Sequence, residues 1–297
     1  MDSLHSLTPE LWALAKHVLR LSVWLVLLAV IFVPLERLFA IHPQKLLRKA
    51  VATDLGYYFL SSLVPGFLLG VPLALLAWGV HHVIPSGLTH AISAWPAWAR
   101  VLAALVIGDI GFYWGHRWSH EIPLLWRFHA IHHSAEHIDF LVNTRAHPVD
   151  MVFTRLCGLV PLYILGLAAP LRGSPSLIPL LVLLLGTLWG FFIHANLRWR
   201  FGPLEFLIAT PAFHHWHHTN DGPAYINKNY APLLPWVDRL FGTLYLPRNR
   251  RPERYGIDEQ LTPGLVGQLV GPFLPLTAER NEPAASVPEI RLQSDAR

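Results

Sequence analysis

One cysteine, Cys157, stands among 297 residues. A lone thiol closes no disulfide within the chain and holds no iron–sulfur cluster, which takes about four thiolates. Charge is scarce too. Only 14% of residues are Asp, Glu, Lys or Arg, against about 25% in an ordinary soluble domain. No GxGxxG, P-loop or GxSxG occurs, so nicotinamide, nucleotide and serine-hydrolase chemistry find no support, and no HExxH marks a zinc-protease helix. Low hydrophobicity, which disorder requires, is missing over most of the chain.

What is present is apolar: 53% of residues are hydrophobic and the mean hydropathy is +0.38. Long apolar runs of this kind point to a bilayer. The formal charge of +4 and a pI near 9.4 do not indicate nucleic acid. The basic residues form no strip interleaved with aromatics, and they gather at the ends and on one side of the apolar segments. Histidine is the excess: 18 in the chain, 12 of them from His116 to His218.

Five segments are long and apolar enough to be helices in or across a membrane, roughly 18–40, 52–84, 97–115, 151–170 and 176–195. An all-α, multi-pass membrane bundle of about four to five spans is expected, with a histidine-rich site at one face. Pro65 and Pro72 mark the second segment as a kinked span or a re-entrant pair. Asp109 in the third is costly in lipid and should face protein or water. The first run is too long for a cleavable signal and lacks a small-residue cleavage site. With the N-terminus outside, the loops 41–51, 116–150 and 196–297 are cytoplasmic and that side holds 19 basic residues. The other side holds Lys16, Arg20, Arg100 and Arg172. This places the histidines at the cytoplasmic face. The Arg-heavy balance, 19 Arg to 4 Lys, suggests a bacterial inner membrane. Residues 1–100 read as N-terminal spans, 101–250 as the catalytic region with further spans, and 251–297 as a cytoplasmic tail. In that tail, 261–276 is apolar and broken by Gly and Pro, suited to the membrane surface, and the last ~15 residues read as disordered.

The histidines form three clusters: His116 and His120 as HxxxH, His129, His132 and His133 as HxxHH, and His214, His217 and His218 as a second HxxHH. On a helix, positions i, i+3 and i+4 share a face, so each cluster aims two or three imidazoles one way. Thr210 and Pro211 supply an N-cap and a first helical residue for the third. Eight imidazoles from three helices fill the inner shells of two metal ions, about four each. A single HxxxH arises readily by chance or as solvated residues. Three such clusters within 103 residues at one membrane face do not, and burying that many imidazoles without partners costs too much. His194, ending the fifth segment, joins the candidate ligands. His147, Asp109, Glu121, Asn143 and Asn196 are possible ligands or residues that orient them, while His137 and His215 read as solvated or supporting. Imidazole suits Zn, Cu, Fe and Ni alike, so spacing leaves the metal open.

At these residues the sequence resembles the fatty acid hydroxylase/sterol desaturase superfamily of integral-membrane di-iron enzymes. The likeness runs from about Asp109 to Tyr255. It is carried by Tyr113 through Glu121, Leu125 through Ser134, Asn143 through Pro148, His194 to Asn196, Pro211 through His218, Asn229-Tyr230 and Asp238 through Thr243. Glu121 directly after the first box resembles the alkylglycerol monooxygenase branch, and His215 stands where relatives more often carry another polar residue. The resemblance implies two iron ions on these imidazoles and O2-dependent hydroxylation or desaturation of a C–H bond in a membrane lipid (sterol, fatty acyl or alkyl chain). It also implies a separate electron donor (cytochrome b5-like, ferredoxin or reductase), since the chain shows no His-Pro-Gly-Gly segment, nucleotide fingerprint or cysteine cluster. Arg248, Arg250 and Arg251 could dock an acidic carrier or a lipid headgroup. The competing readings are a membrane zinc hydrolase, in which the imidazoles activate water, and a metal transporter. A transporter would spread its ligands along a path through the bilayer.

Overall fold

Thr8 caps the first helix and Pro9 opens it, with the Thr8 hydroxyl accepting from the Leu11 amide at 3.5 Å. From there the computed structural model, which describes residues 8–168 and 177–275, is helical throughout. The helices are α1 (Pro9–Phe39), α2 (Val51–Val83), α3 (Ser86–Ser93), α4 (Ala97–Glu121), α5 (Pro123–His133), α6 (Pro148–Ile164) and α7 (Ile178–His194). The shorter α8 (Pro211–His217), α9 (Pro235–Leu240) and α10 (Gly264–Val270) follow, with single 3-10 turns at Phe140–Thr144, Gly202–Phe206 and Gly271–Phe273. Among the described residues there is no strand, only an isolated bridge between Thr219 and Tyr255.

Helices α1, α2 and α4 are long and apolar enough to cross a membrane. Their outward faces carry bare apolar side chains, Phe67 at 84% exposure among them, a surface suited to lipid rather than water. The second expected segment is one continuous helix, α2, of 33 residues. The last two expected segments appear as α6 and α7, 17 residues each, or about 25 Å at 1.5 Å per residue. The end of the fourth expected span, the start of the fifth, Arg172, His5 and the tail beyond 275 lie outside the described residues.

The closest packing in the bundle joins α4 to α6, and glycine permits it. A Cβ on Gly111 would lie 2.3 Å from the Cys157 carbonyl oxygen, and one on Gly115 would lie 2.7 Å from the Cys157 Cβ. Small residues four apart let helix backbones approach in this way. At one end of the bundle, buried ions clamp loops to helices. Arg48 pairs with Asp54 at 2.5 Å and with Asp139 at 2.7 Å, and Arg145 reaches Asp54 at 2.9 Å. The Glu36 carboxylate accepts from the Phe140 and Asn196 amides at 2.9 and 3.0 Å. These contacts fix α1, α2, the turn before α6 and the end of α7 around one centre. The apolar stretch expected at the membrane surface folds as α10 and its 3-10 turn. It docks with Phe273 against Phe128 and Leu265 against Gly56, leaving Val266 exposed.

Candidate metal centre

α4 delivers His116 and His120 on its last turns, α5 delivers His129, His132 and His133, α7 ends on His194, and α8 carries His214 and His217 with His218 as its C-cap. These nine side chains form two groups, His116, His120, His129, His133 and His217 in one and His132, His194, His214 and His218 in the other. Within each group the ring nitrogens lie within 4.8 Å of one another. The HxxHH spacing explains the division. Residues four apart differ by about 40° around a helix, whereas the residue three along points about 60° to the other side. His129 and His133 therefore enter the first group while His132 enters the second. In α8 the same step sends His214 and His218 to the second group and His217 to the first.

Contacts behind the rings decide which nitrogen faces inward. His116 Nδ1 donates to the Tyr230 carbonyl at 2.7 Å, His217 Nδ1 to Lys228 at 2.8 Å, His132 Nδ1 to Arg145 at 3.1 Å and His194 Nδ1 to Gly190 at 2.7 Å. A carbonyl only accepts, so each of these rings carries its proton on Nδ1 and turns the Nε2 lone pair inward. There the Nε2 atoms crowd together, with His116–His129 at 3.1 Å, His129–His133 at 3.2 Å, His194–His214 at 3.0 Å and His132–His194 at 3.3 Å. Nitrogens bound about 2.1 Å from one ion sit about 3.0–3.4 Å apart at right-angled or tetrahedral positions. The donor set thus fits metal, and the inward Nε2 atoms of His120 and His217 are buried without a partner. Protonation of the rings does not relieve this crowding. Burial first, and neighbouring imidazoles second, push His132 down to about 3 and His133, His214, His217 and His218 well below the usual histidine range.

Three of the outer contacts come from one strap, residues 227–230. Asn227 Oδ1 lies 3.2 Å from His120 Nδ1, and the Lys228 and Tyr230 carbonyls hold His217 and His116. Asn227 and Asn229 both have φ of 59°, left-handed backbone that asparagine tolerates better than most residues. Asn229 locks the strap by accepting from the Tyr245 amide at 2.7 Å and donating to the Phe213 carbonyl at 2.8 Å. Asp238 accepts from the Tyr230 and Ala231 amides at 2.7 and 2.8 Å and from the Thr243 hydroxyl at 2.7 Å. Burial nevertheless raises its carboxyl to about 6.

The remaining sequence candidates sit elsewhere. Asp109 accepts from the Leu233 and Leu234 amides, each at 3.0 Å. Glu121 pairs with Arg117 on the surface at 2.7 Å. Asn196 binds backbone at residues 41 and 42, and Asn143 Nδ2 reaches the Thr187 carbonyl at 3.4 Å. His147 is the N-cap of α6, its Nδ1 accepting from the Val149 amide and its Nε2 donating to the Leu269 carbonyl. His215 faces away from both groups. Its Nε2 donates to the Ala195 carbonyl and its Nδ1 accepts from the Tyr255 hydroxyl, both at 3.1 Å. His137 is exposed. Thr210 precedes α8 as expected from Pro211, but its hydroxyl makes no capping bond. Sequence reasoning passed over Asp150, whose carboxylate takes His129 Nδ1 at 3.0 Å and the Ser119 hydroxyl at 3.2 Å. An acid in the first turn of an apolar helix, just after His147 and Pro148, was the available signal. The strap's carbonyls carry no residue-type signal at all.

A cavity of about 490 Å³ opens beside both groups. His116, His129, His132, His194 and His214 line it, and its wall is mostly apolar.

The fatty acid hydroxylase family model matches residues 101–243. An ornithine lipid hydroxylase of Rhizobium tropici is 36% identical over 183 residues, 60% of this chain and 52% of that protein. An alkylglycerol monooxygenase of Danio rerio is 35% identical over 151 residues, 51% of this chain and 31% of that protein. Methylsterol monooxygenase 2-2 of Arabidopsis thaliana is 27% identical over 185 residues, 60% of this chain and 64% of that protein. The chain therefore spans from about a third to under two thirds of these relatives. No solved structure matches it.

Proposed function

We propose, from the match of the fatty acid hydroxylase family model to residues 101–243, that the chain is a membrane-bound oxidoreductase. It hydroxylates or desaturates a C–H bond of a lipid with O2 and two electrons from a separate donor. The observation that carries this reading is the pair of buried imidazole groups beside a largely apolar cavity of about 490 Å³. Both groups contain only nitrogen donors, which suit iron, and all the named relatives are hydroxylases or monooxygenases. We assign His116, His120, His129, His133 and His217 to one iron and His132, His194, His214 and His218 to the other. When bound, the iron pair would supply the activation of O2, with two electrons and two protons consumed: in hydroxylation one oxygen atom enters the C–H bond and the other leaves as water, and in desaturation two hydrogens leave the lipid and both oxygen atoms leave as water.

The residues of the chain do the rest. The Tyr230, Lys228, Arg145 and Gly190 carbonyls and the Asp150 carboxylate hold five of the nine rings, those of His116, His217, His132, His194 and His129, in their tautomer and orientation. The apolar wall aligns the chain to be oxidised and keeps bulk water from it. Lipid enters from the bilayer, and the site lies at the cytoplasmic face of a bacterial inner membrane. The exposed Arg248 and Arg250 present positive charge there for an acidic electron carrier, a cytochrome b5-like protein, ferredoxin or reductase.

The test is metal content of protein purified anaerobically from iron-supplied cells, with His132→Ala alongside. About two irons per chain, reduced in the variant while the protein still inserts, supports the assignment. Stoichiometric zinc without iron, metal exchange excluded, overturns it.

A further inference from the structure

Arg155 is the one Lys or Arg in the cavity wall among the described residues. Residues 150, 151, 154, 155, 158 and 159 of α6 all line the cavity, a spacing of one helical face, so Arg155 lies on the cavity side of the helix. It is half-buried and, among the described residues, has neither a hydrogen bond nor an ion pair. The carboxylates of the cavity wall are already occupied, Asp109 by two amides and Asp150 by His129 and Ser119. The wall's hydroxyls turn inward to backbone, Ser61 to Thr144, Thr154 to Asp150 and Thr187 to Leu183.

A guanidinium cannot shed its charge and carries five donors. An unpaired one inside a membrane protein, facing a cavity, marks a ligand path. We propose that Arg155 binds the anionic polar end of the lipid substrate, a carboxylate or phosphate taken by the guanidinium fork, while the apolar wall takes the chain. A cavity of about 490 Å³ falls within the range for small-molecule sites. Arg155 stands five residues after Asp150, a rise of about 7.5 Å, and long helical side chains lean toward the helix N-terminus, here toward Asp150 and His129. The anion is therefore held near the imidazoles, and the carbon presented to them lies close to the polar end rather than far down the chain. This inference rests on the lipid-oxidation reading and narrows its substrate class to an anionic amphiphile.

Equilibrium binding to the full chain in neutral detergent tests it with three probes of one chain length: oleate, oleoyl lysophosphatidate and oleyl alcohol. The wild type should bind at least one anion about tenfold or more tighter than the alcohol, and which anion wins identifies carboxylate or phosphate. Arg155→Met should abolish that preference with alcohol affinity unchanged. Arg155→Gln gives the same reading if Arg155→Met does not fold. Equal affinities in the wild type, or a preference that survives in the folded variants, overturns the assignment. Iron and oxidised lipid are measured on the same preparations. Anion preference without iron overturns the oxidation reading alone, and iron with oxidised lipid but no anion preference overturns the role of Arg155 alone.

Discussion

The five-histidine and four-histidine groups meet through stacked and edge-on rings, His133 on His218 at 4.5 Å and His217 on His218 at 5.2 Å between centroids, yet they are supported differently. Behind the first stand a carboxylate, Asp150, and a side-chain amide, Asn227, and its His120 is half-exposed. Behind the second stand the carbonyls of Arg145 and Gly190, all four rings are buried, and Nδ1 of His214 and of His218 has no partner. A carboxylate behind an imidazole raises its basicity more than a carbonyl does. The two sites should thus differ in affinity and in tolerance of substitution, although their ligand chemistry is the same.

The largest expected separation comes from removing one ring from each group. His194→Ala leaves three imidazoles in the buried group and should lower bound metal from about two ions per chain toward one, with loss of lipid oxidation. His120→Ala leaves four in the other group and should retain nearly two. Metal analysis by mass spectrometry reads both, and equal losses would remove the distinction.

Asp150→Ala should weaken metal binding about 10–100-fold, the usual cost of losing such a partner, and only at the five-histidine group. A chelator titration should then resolve two release steps where the wild type shows closer ones. A single uniformly weakened step would mean that the carboxylate supports both groups.

A smaller effect is expected at His215, which shares the third box but neither group. His215→Ala should keep full metal content and lose about 1–3 kcal/mol of stability, since it removes two hydrogen bonds, one to the Ala195 carbonyl and one from the Tyr255 hydroxyl. Loss of metal would place His215 among the ligands.

The mildest handle is pH, applied to metal-free protein. Burial and neighbouring rings hold His132 at about 3 and the four rings of α8 and its cap low, with His215 also at about 3, against about 6.5 in the unfolded chain. The unfolded state then binds more protons below pH 6.5, so stability is fully present above that value and falls as pH drops toward 3. Thermal unfolding at pH 7 and pH 5 should show the loss, and saturating metal should reduce it, because bound imidazoles cannot protonate without releasing the ion.

Much of the centre was legible before the fold. His116 and His120, His129 with His132 and His133, and His214 with His217 and His218 share helix faces because their spacing is local, and Pro211 marks a helix start. The helical class followed from apolar length. Asp109, read as a partner for imidazole from its position two turns before His116, instead anchors the backbone at Leu233 and Leu234, more than 120 residues away. Glu121, adjacent to a box histidine, turns to Arg117 because i and i+4 share a face and i+1 does not. Asp150 and the strap at 227–230 were hidden for the complementary reason: a carbonyl has no residue identity, and its aim depends on two left-handed asparagines and on Asp238.

Composition and helical periodicity, which are properties of neighbouring residues, determined by themselves that this is an apolar helical chain with three imidazole-bearing faces. The tertiary structure decided how those faces divide between two centres, which groups stand behind each ring and which cation is left facing the cavity. Those outcomes depend on where distant backbone meets a helix face, and no local spacing encodes that meeting.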